Sequence, residues 1–135
     1  MEEGKIEYRH NVPLDPREVV RVFAAAGMPR PVDDLPRIAR MFAHANLVVS
    51  AWAAGRLVGI CRAITDYSYC CYISEIAVEP AFQQHGIGRA LVAQVHDTLG
   101  DEVSLILLSV QEAMEFYPKL GFALADNAFV LKRRR

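Results

Sequence analysis

The feature that most constrains the fold is a strand-like run that passes into a helical pattern through a turn with two glycines. Residues 73–78 are mainly apolar and rich in β-formers, as expected of a strand. Residues 86–99 carry apolar side chains at steps of four, which predicts an amphipathic helix that Gly100 ends. These apolar positions are Ile87, Leu91, Val95 and Leu99. A strand joined to a helix in this way is typical of an α/β domain.

The rest of the chain alternates strand-like and helix-like segments, with turn-forming residues at most boundaries. A first helix is predicted over 16–26, and Asp33 or Asp34 opens a second helix. Ser109 and Glu112 have the spacing of a capping box, which predicts that a short helix follows. The predicted strands are 5–10, 47–53, 56–65, 70–78, 103–108, 122–124 and 128–132. The predicted order is therefore β-α-α-β-β-β-α-β-α-β-β, an α/β (α+β layered) fold with a mixed sheet flanked by helices.

Composition narrows the class of protein. The chain has 135 residues, 53% of them hydrophobic and 23% charged, with a formal net charge of −1, which is typical of a globular protein. One domain over residues 1–135 is expected, because no linker or repeat divides the chain. No run approaches the roughly 18 apolar residues of a membrane span, and no signal segment follows the charged N-terminus. We therefore expect a cytoplasmic protein that has no membrane or nucleic-acid partner.

The cysteines and histidines indicate neither a disulfide framework nor a metal site. Cys61, Cys70 and Cys71 are odd in number and two of them are adjacent, so we interpret all three as reduced, buried thiols. No CxxC or HExxH spacing occurs, and the four histidines are scattered. Metal ligands usually follow such spacings, so the sequence predicts no metal.

The glycine turn is suited to an anion. Glycines let the backbone approach a ligand closely, and the first N–H groups of a helix are unpaired donors at the positive end of its dipole. A Walker A loop would need Gly-Lys-Ser/Thr, which the chain lacks. A dinucleotide fingerprint would need a third Gly or Ala at the position where Leu91 stands. The ligand must therefore be identified from the context of the turn.

Three segments in a fixed order form a longer pattern: residues 73–78, then Gln83-x-x-Gly86-x-Gly88, and then the segment 116–122, Phe-Tyr-Pro-Lys-Leu-Gly-Phe. This pattern resembles the GNAT superfamily of acetyl-CoA-dependent N-acetyltransferases, and the chain is identified as a small, stand-alone, bacterial-type member. The resemblance implies a single acyl-CoA N-acyltransferase domain. It also implies a mixed, mostly antiparallel sheet that is splayed in the middle, between 73–78 and 103–108, with acetyl-CoA in the opening.

By this resemblance, two stretches of backbone hold acetyl-CoA. The N–H groups of the turn would bind the pyrophosphate, and the strand before it would pair with the pantetheine arm. A bulge in that strand would aim one N–H at the thioester carbonyl. Ser109 stands near a position where many relatives carry an asparagine that contacts the pantetheine; otherwise it is only a helix cap. The implied cofactor-binding residues are Ile76, Ala77, Val78, Gln83, Gln84, His85, Gly86, Ile87, Gly88, Arg89 and Ser109.

Two side chains are candidates for catalysis. Tyr117 matches the family tyrosine that acts as general acid toward the CoA sulfur, and a phenol carries a proton at neutral pH. Glu75 is the one carboxylate inside the central strand and is the candidate general base, directly or through water. Relatives often carry this group at the positions of Ser74 or Tyr72. If alternation turns those two positions toward the acceptor, Glu75 instead faces the side of the helices or pairs with an arginine, and a water chain takes the proton.

Two functions are compatible with these residues. The first is an N-acetyltransferase that moves acetyl from acetyl-CoA to a primary amine by direct attack in a ternary complex, without a metal. The alternative is a non-catalytic module of the same fold that binds acyl-CoA for regulation. The acceptor would be a small-molecule or peptide amine, and the acidic and aromatic candidates to meet it are Asp33, Asp34, Asp66, Tyr67 and Tyr69. The last predicted strand, 128–132, is suited to a sheet edge, where it could pair across a homodimer.

Overall fold

A computed structural model describes residues 5–135 of the chain. In this part of the molecule the predicted elements are found in order from the first strand to the fifth. The strands are β1 (Ile6–His10), β2 (Leu47–Ala53), β3 (Arg56–Thr65), β4 (Cys70–Val78) and β5 (Ser104–Leu107). The α-helices are α1 (Pro16–Ala26), α2 (Leu35–Ala43), α3 (Ile87–Leu99) and α4 (Phe116–Lys119). Short 3₁₀ turns at Pro80–Phe82 and Gln111–Ala113 precede α3 and α4.

The strands form one sheet in the order β1-β2-β3-β4-β5. Each neighbouring pair is antiparallel except β4 and β5, which are parallel. β2 and β3 form the predicted hairpin. Its turn residues Ala54 and Gly55 have φ angles of 50° and 81°, and a two-residue hairpin turn of type I′ needs a positive φ at both positions. The predicted fold class, an α/β domain with a mixed and mostly antiparallel sheet between helices, is confirmed.

The prediction of two closing strands is wrong. Residues 122–124 and 128–132 form no strand in the described structure, so β5 is the last strand of the sheet. Leu124, Phe129 and Leu131 are 81%, 97% and 100% exposed. Strand preference depends on packing against neighbouring strands and on a buried face, and these residues have neither. The order of elements therefore ends with α4.

Helices cover both faces of the sheet and bury two apolar clusters. On one face, α3 packs Ile87 and Leu91 against residues of β2, β3 and β4. On the other face, α1 and α2 bury Phe23 and Ile38. The result is a three-layer arrangement with the sheet in the middle. Among residues 5–135, no helix is long and apolar enough to cross a membrane.

The sheet is splayed between β4 and β5. Their parallel pairing joins Cys70–Ile73 of β4 to Ser104–Leu107 of β5 and ends there. Residues 74–78 of β4 therefore have no strand partner on the β5 side, although β3 lies along their other side. We call residues 74–78 the open edge of β4. The splay implied by the resemblance lies between the two predicted strands, but it lies beside the edge strand β5 and not in the middle of the described sheet, because the closing strands are absent there.

The open edge begins at a β-bulge. Residues 62–63 of β3 are adjacent, yet their partners on β4 are Glu75 and Ile73, so Ser74 is an extra residue. The expected bulge therefore lies two residues earlier than the stretch for which it was predicted. Because the bulge interrupts the alternation of side chains, Ile73 and Ile76 both pack on the α3 face. Glu75 is turned to the opposite face, which α1 and α2 cover.

An aspartate caps the start of α2. The side chain of Asp34 accepts a hydrogen bond from the backbone N–H of Arg37 at 3.2 Å, which satisfies one of the free donors of the first turn. The adjacent Asp33 makes no side-chain hydrogen bond within the described residues. Of the two aspartates that the sequence offered, Asp34 is therefore the cap.

Replacement of the two aspartates in turn tests this cap. Asp34→Ala should lower the free energy of unfolding by about 1 kcal/mol, because an N–H group loses its partner. Asp33→Ala removes the same charge one residue earlier, and we expect it to change the stability by less than about 0.5 kcal/mol. Urea unfolding of the three proteins measures both effects. Equal losses would mean that the charge, and not the hydrogen bond, stabilises the helix.

Candidate active site

The stretch predicted to pair with pantetheine lies on the open edge of β4. Ile76, Ala77 and Val78 have β3 on one side and no strand on the other. Backbone groups on such an edge can pair with an extended ligand as they would with an added strand. Beyond the edge, the side-chain amide of Gln83 donates to the carbonyl of Val78 at 2.9 Å. This bond ties the turn to the end of the strand.

The turn leads into a helix that has no side-chain cap. Gly86 is the N-cap of α3 with a φ of 80°, and Gln84 has a φ of 65°; only glycine adopts such angles freely. The N–H of Ala90 donates to the carbonyl of Gly86 at 2.9 Å. The N–H groups of residues 87–89 precede this bond, so the helix itself provides no acceptor for them. An uncapped first turn of this kind binds anions.

The side chains of the predicted cofactor-binding turn fall into two groups. Gln83, Gln84, His85 and Arg89 are exposed, so they are accessible to a ligand. Ile87 is 2% exposed and belongs to the core. Any contact of Ile87 with a ligand must therefore come from its backbone, whereas the polar residues can also contribute side chains.

Two glycines without positive φ let the site assemble. A Cβ on Gly88 would lie 3.1 Å from Cζ of Phe116, so this glycine makes room for α4 against the first turn of α3. A Cβ on Gly59 of β3 would lie 3.2 Å from Cγ2 of Ile87, so Gly59 lets the same turn approach the sheet. Sequence reasoning assigned Gly88 to ligand approach alone and missed Gly59, because the sequence does not show which side chains lie opposite them.

Tyr117 is held between two aromatic rings. Its ring centroid lies 5.1 Å from that of Phe116 and 5.6 Å from that of Phe122, both edge-on. Burial raises the pKa of the Tyr117 phenol above its ordinary value, and the charge of the Cys61 thiolate would raise it further. The phenol is therefore protonated at neutral pH. Pro118 lies in the first turn of α4, where its missing N–H is not needed.

Ser109 is not a helix cap. The 3₁₀ turn that follows has Val110 as its N-cap and no side-chain cap bond, and the Ser109 hydroxyl donates to the carbonyl of Val110 at 2.7 Å. The predicted capping box is therefore wrong, and no α-helix begins there. Ser109 lies two residues beyond β5 and is half-buried, so its hydroxyl oxygen can still accept a hydrogen bond from a ligand.

Glu75 is the centre of a buried ion-pair network. Its carboxylate is fully buried, and Oε1 accepts hydrogen bonds from Nε of Arg30 at 2.7 Å and from Nη2 of Arg62 at 3.1 Å. Oε2 accepts from Nε of Arg62. The hydroxyl of Ser74 also donates to Oε1 at 3.0 Å. Of the alternatives left open for Glu75, pairing with an arginine is found, and it involves two arginines.

The same two arginines hold the bulge. Nη2 of Arg30 donates to the backbone carbonyl of Ser74 at 2.7 Å, and Nη2 of Arg62 is 2.7 Å from its hydroxyl. The Arg62 guanidinium also lies 5.6 Å from the ring centroid of Phe42. Sequence reasoning missed both arginines as members of the site. A buried carboxylate needs cationic partners, which is a signal that some arginine is near, but it does not identify which.

A second buried carboxylate anchors the end of β4. Glu79 accepts hydrogen bonds from Arg56 at 2.9 Å and Arg21 at 3.0 Å, and Arg21 also donates to the carbonyl of Leu57. Burial alone would raise the pKa of the Glu79 carboxyl. The hydrogen bond from Arg56 and the charges of both arginines outweigh burial and hold this pKa below its ordinary value. Glu79 therefore joins α1 and β3 to the residue that leads into the turn.

Several residues predicted to meet the acceptor have structural contacts instead. Besides Asp34, Asp66 accepts hydrogen bonds from the N–H groups of Ser68, Tyr69 and Cys70, and it closes its own turn. The hydroxyl of Tyr67 donates to the carbonyl of Asn46 at 2.8 Å. Tyr69 is 77% exposed. Tyr69 is thus the aromatic residue of this set that is most accessible to an acceptor.

The prediction that all three cysteines are buried is confirmed for Cys61 and Cys71 and is wrong for Cys70, which is exposed at the start of β4. Cys61 and Cys71 are buried, and burial raises the pKa of both thiols. A neutral buried thiol is a poor nucleophile. Within residues 5–135, no group of three or more His, Cys, Asp or Glu side chains is arranged to hold a metal ion.

Comparison with known proteins gives a family for this arrangement. The family model for the acetyltransferase (GNAT) family matches residues 17–122. Serotonin N-acetyltransferase 2, chloroplastic, from Oryza sativa subsp. japonica is 33% identical over an alignment of 126 residues that covers 89% of this chain. The chain spans 62% of the length of that relative.

Solved structures share the fold. A protein of unknown function from meticillin-resistant Staphylococcus aureus superposes with a TM-score of 0.81 and 19% identity, over 95% of this chain and 99% of that one. The aminoglycoside N-acetyltransferase AAC(6')-Iy in complex with CoA superposes with a TM-score of 0.72 and 18% identity, over 96% and 95% of the two chains. At these identities the likeness concerns the fold.

The anchor at Glu79 should be visible in the pH dependence of stability. Because its pKa is lower in the folded chain than in the unfolded one, it stabilises the fold above the unfolded pKa of about 4.3, and this stabilisation is lost as the pH falls through the folded pKa. The stability difference between wild type and Glu79→Gln should therefore shrink between about pH 6 and pH 3. Urea unfolding at several pH values measures it. Glu112→Gln, at an exposed carboxylate, is the control. If the stability difference between wild type and Glu79→Gln did not depend on pH, Glu79 would not be the anchor described here.

Proposed function

Because the chain belongs to the GNAT acetyltransferase family, we propose that it transfers the acetyl group of acetyl-CoA to a primary amine by direct attack, while both substrates are bound. The observation that carries this proposal is the open edge of β4, which leads through the turn into the uncapped first turn of α3. A ligand with an extended, amide-bearing arm and a pyrophosphate matches these two surfaces in the same order.

Two groups of residues would bind acetyl-CoA, which supplies the acyl thioester. Ile76, Ala77 and Val78 would pair with the arm through their backbone, and Ser109 would add its hydroxyl. The turn from Gln83 to Arg89 would hold the pyrophosphate, mainly with backbone N–H groups. These donors explain how a chain of net charge −1 could bind so anionic a ligand, because they supply positive charge without lysine.

Tyr117 would act as the general acid. In the proposed reaction the amine nitrogen attacks the thioester carbon, the carbon–sulfur bond breaks, and the sulfur takes the proton of the phenol. A phenol carries its proton at neutral pH, and burial raises the pKa of the Tyr117 phenol, so the group is in the protonated form that a general acid needs before the transfer. Backbone N–H groups aimed at the thioester oxygen would stabilise its developing negative charge by about 3 kcal/mol per donor.

The proton of the attacking amine needs a separate acceptor. Glu75 is the candidate base of the central strand, but both of its oxygens already accept hydrogen bonds from arginine, and Oε1 also accepts one from Ser74. An amine would have to displace these donors. We therefore propose that water molecules take the proton and that Glu75 contributes through the arrangement of β4.

The acceptor is proposed to be a small-molecule or peptide amine. The rice relative is named for serotonin and the CoA-bound structural neighbour for aminoglycosides. These two compounds and a lysine-containing peptide are therefore the first amines to test. A screen with acetyl-CoA that measures released thiol identifies the acceptor, and incubation without amine gives the background hydrolysis.

The engagement of Glu75 with two arginines also favours a second candidate, a module that binds acyl-CoA without transferring it. Such a module needs the open edge and the turn but no base. The two candidates differ in one measurement. Thiol release with any amine of the screen would exclude the module, whereas CoA binding without thiol release across the whole panel would favour it.

We also propose that the protein acts in the cytoplasm, where its cysteines stay reduced; all three are free thiols in the structure.

A homodimer is a further proposal. β5 forms one edge of the described sheet, and an unpaired edge can add a strand from a second chain. Size-exclusion chromatography with light scattering would decide between one chain and two.

Binding of CoA should stabilise the fold. At a CoA concentration 100 times the dissociation constant, the free energy of unfolding should rise by about 2.7 kcal/mol, which raises the melting temperature by several degrees. Differential scanning fluorimetry with CoA and acetyl-CoA measures the shift, and NAD and ATP at the same concentration are the controls. No shift at millimolar CoA would exclude both candidate functions.

Loss of the Tyr117 hydroxyl should slow the transfer without weakening CoA binding. Tyr117→Phe keeps the ring that packs between Phe116 and Phe122 but removes the acid, so kcat should fall by about 100-fold or more. Tyr8→Phe is the matched control. Burial raises the pKa of the Tyr8 phenol as well, but Tyr8 lies on β1, outside the candidate site. Thiol release gives kcat, and the thermal shift gives CoA affinity. An unchanged kcat would exclude Tyr117 as the acid.

A further inference from the structure

The bulge in β4 is surrounded by a polar cluster that the proposed chemistry does not use. We call Arg30, Arg62, Ser74 and Glu75 the bulge cluster. Its carboxylate is fully buried, and the side chains of Arg62 and Arg30 are 9% and 23% exposed. Within the described residues, no buried side-chain nitrogen or oxygen lacks a hydrogen-bond partner. The cluster is therefore a completed network of the kind that holds one conformation.

The cluster acts on backbone as well as on side chains. Ser74 is the extra residue of the bulge, so the regular ladder with β3 does not accommodate it. Arg30 supplies a donor to its carbonyl at 2.7 Å while also binding Glu75. One guanidinium thus joins the carbonyl at the bulge to the carboxylate of the next residue, a two-point contact that the planar fork of arginine allows.

Without this contact, a second register of β4 against β3, in which Ser74 is not an extra residue, would compete with the observed one. Removal of the extra residue restores strict alternation, and alternation from Ile73 would turn Glu75 toward the apolar face that α3 covers. A charge in that face would be unpaired. The cluster therefore selects the bulged register, and this register determines how the N–H groups of the open edge are oriented.

Arg30 lies on the connection between α1 and α2, whereas the other three members lie on β3 and β4. Within the cluster, it is therefore the one link between that connection and the strand. We propose that Arg30 is a positioning residue for acyl transfer, which fixes the bulge at Ser74 and so orients the open edge of β4. This inference rests on the proposed function for its catalytic consequence, but the hold of Arg30 on the bulge can be measured without catalysis.

The expected result for Arg30→Ala is a fall in kcat of about 10- to 100-fold, because small displacements of reacting groups have effects of this size. The fall in kcat should exceed any rise in the KM for acetyl-CoA, since the turn at α3 that binds the pyrophosphate is untouched. Arg30→Lys should recover part of kcat, because an ammonium carries the charge but does not reproduce the fork. Arg40→Ala, at an exposed arginine on α2, is the matched control.

Two further measurements separate positioning from simple loss of stability and from base catalysis. Removal of one partner of a buried carboxylate should lower the melting temperature of Arg30→Ala, so the test is local: hydrogen exchange of residues 73–78 should rise by a larger factor than exchange in α3, which reports the general loss of stability. Glu75→Gln should lower kcat as Arg30→Ala does and leave the shape of the pH profile of kcat unchanged. If Glu75→Gln lost the acidic limb of that profile and Arg30→Ala kept it, Glu75 would be the base. The assignment of a positioning role to the bulge cluster would then be wrong.

The outcomes distinguish this inference from the proposed function. Wild-type kcat and wild-type exchange of residues 73–78 in Arg30→Ala would overturn the inference. Failure of wild type to release thiol with any amine would remove the proposed function, and the exchange data would then still decide whether Arg30 holds the bulge. Slower turnover with exchange that rises more in β4 than in α3 would support both.

Discussion

The structure depends on one buried carboxylate in the middle of β4. A charged group away from water must be paired, and Glu75 meets this requirement with Arg62 from the neighbouring strand and Arg30 from the connection between two helices. The pairing is possible only if Glu75 faces α1 and α2. The bulge at Ser74 brings it to that face, and it leaves Ile73 and Ile76 together on the apolar face under α3.

The same strand connects the two halves of the candidate site. At one end of its open edge the bulge is tied to Arg30, and at the other end Glu79 is tied to Arg21 and Arg56. The stretch between these anchors is where the acyl-CoA arm is proposed to pair. Rigid attachment at both ends suits a surface that must present backbone donors with little reorganisation. Its chemistry is therefore provided mainly by backbone, and the side chains hold that backbone in place.

Elements with a strong local pattern could be predicted from the sequence. The steps of four from Ile87 to Leu99 and the final Gly100 correspond to α3, and the two strands around Ala54 and Gly55 form the hairpin. Predictions that depended on distant partners were less successful. The segment 128–132 is rich in β-formers but has no strand beside it, and Ser109 has capping-box spacing but bonds to Val110. A local pattern shows which structure a segment prefers, but the segment adopts that structure only where its neighbours in the fold pack against it.

The sequence by itself determined the order of elements through the fifth strand, the glycine turn between β4 and α3, and the resemblance to the acetyltransferase family, because each depends on patterns within short segments and on the order of those segments along the chain. Only the tertiary structure decided which way Glu75 faces, where the bulge lies and why Gly59 and Gly88 have no side chain. Arg30 is 45 residues away from Glu75 in the sequence. Strict alternation along β4 gives the wrong face for Glu75, since one extra residue reverses it, and only the folded chain shows where that residue is.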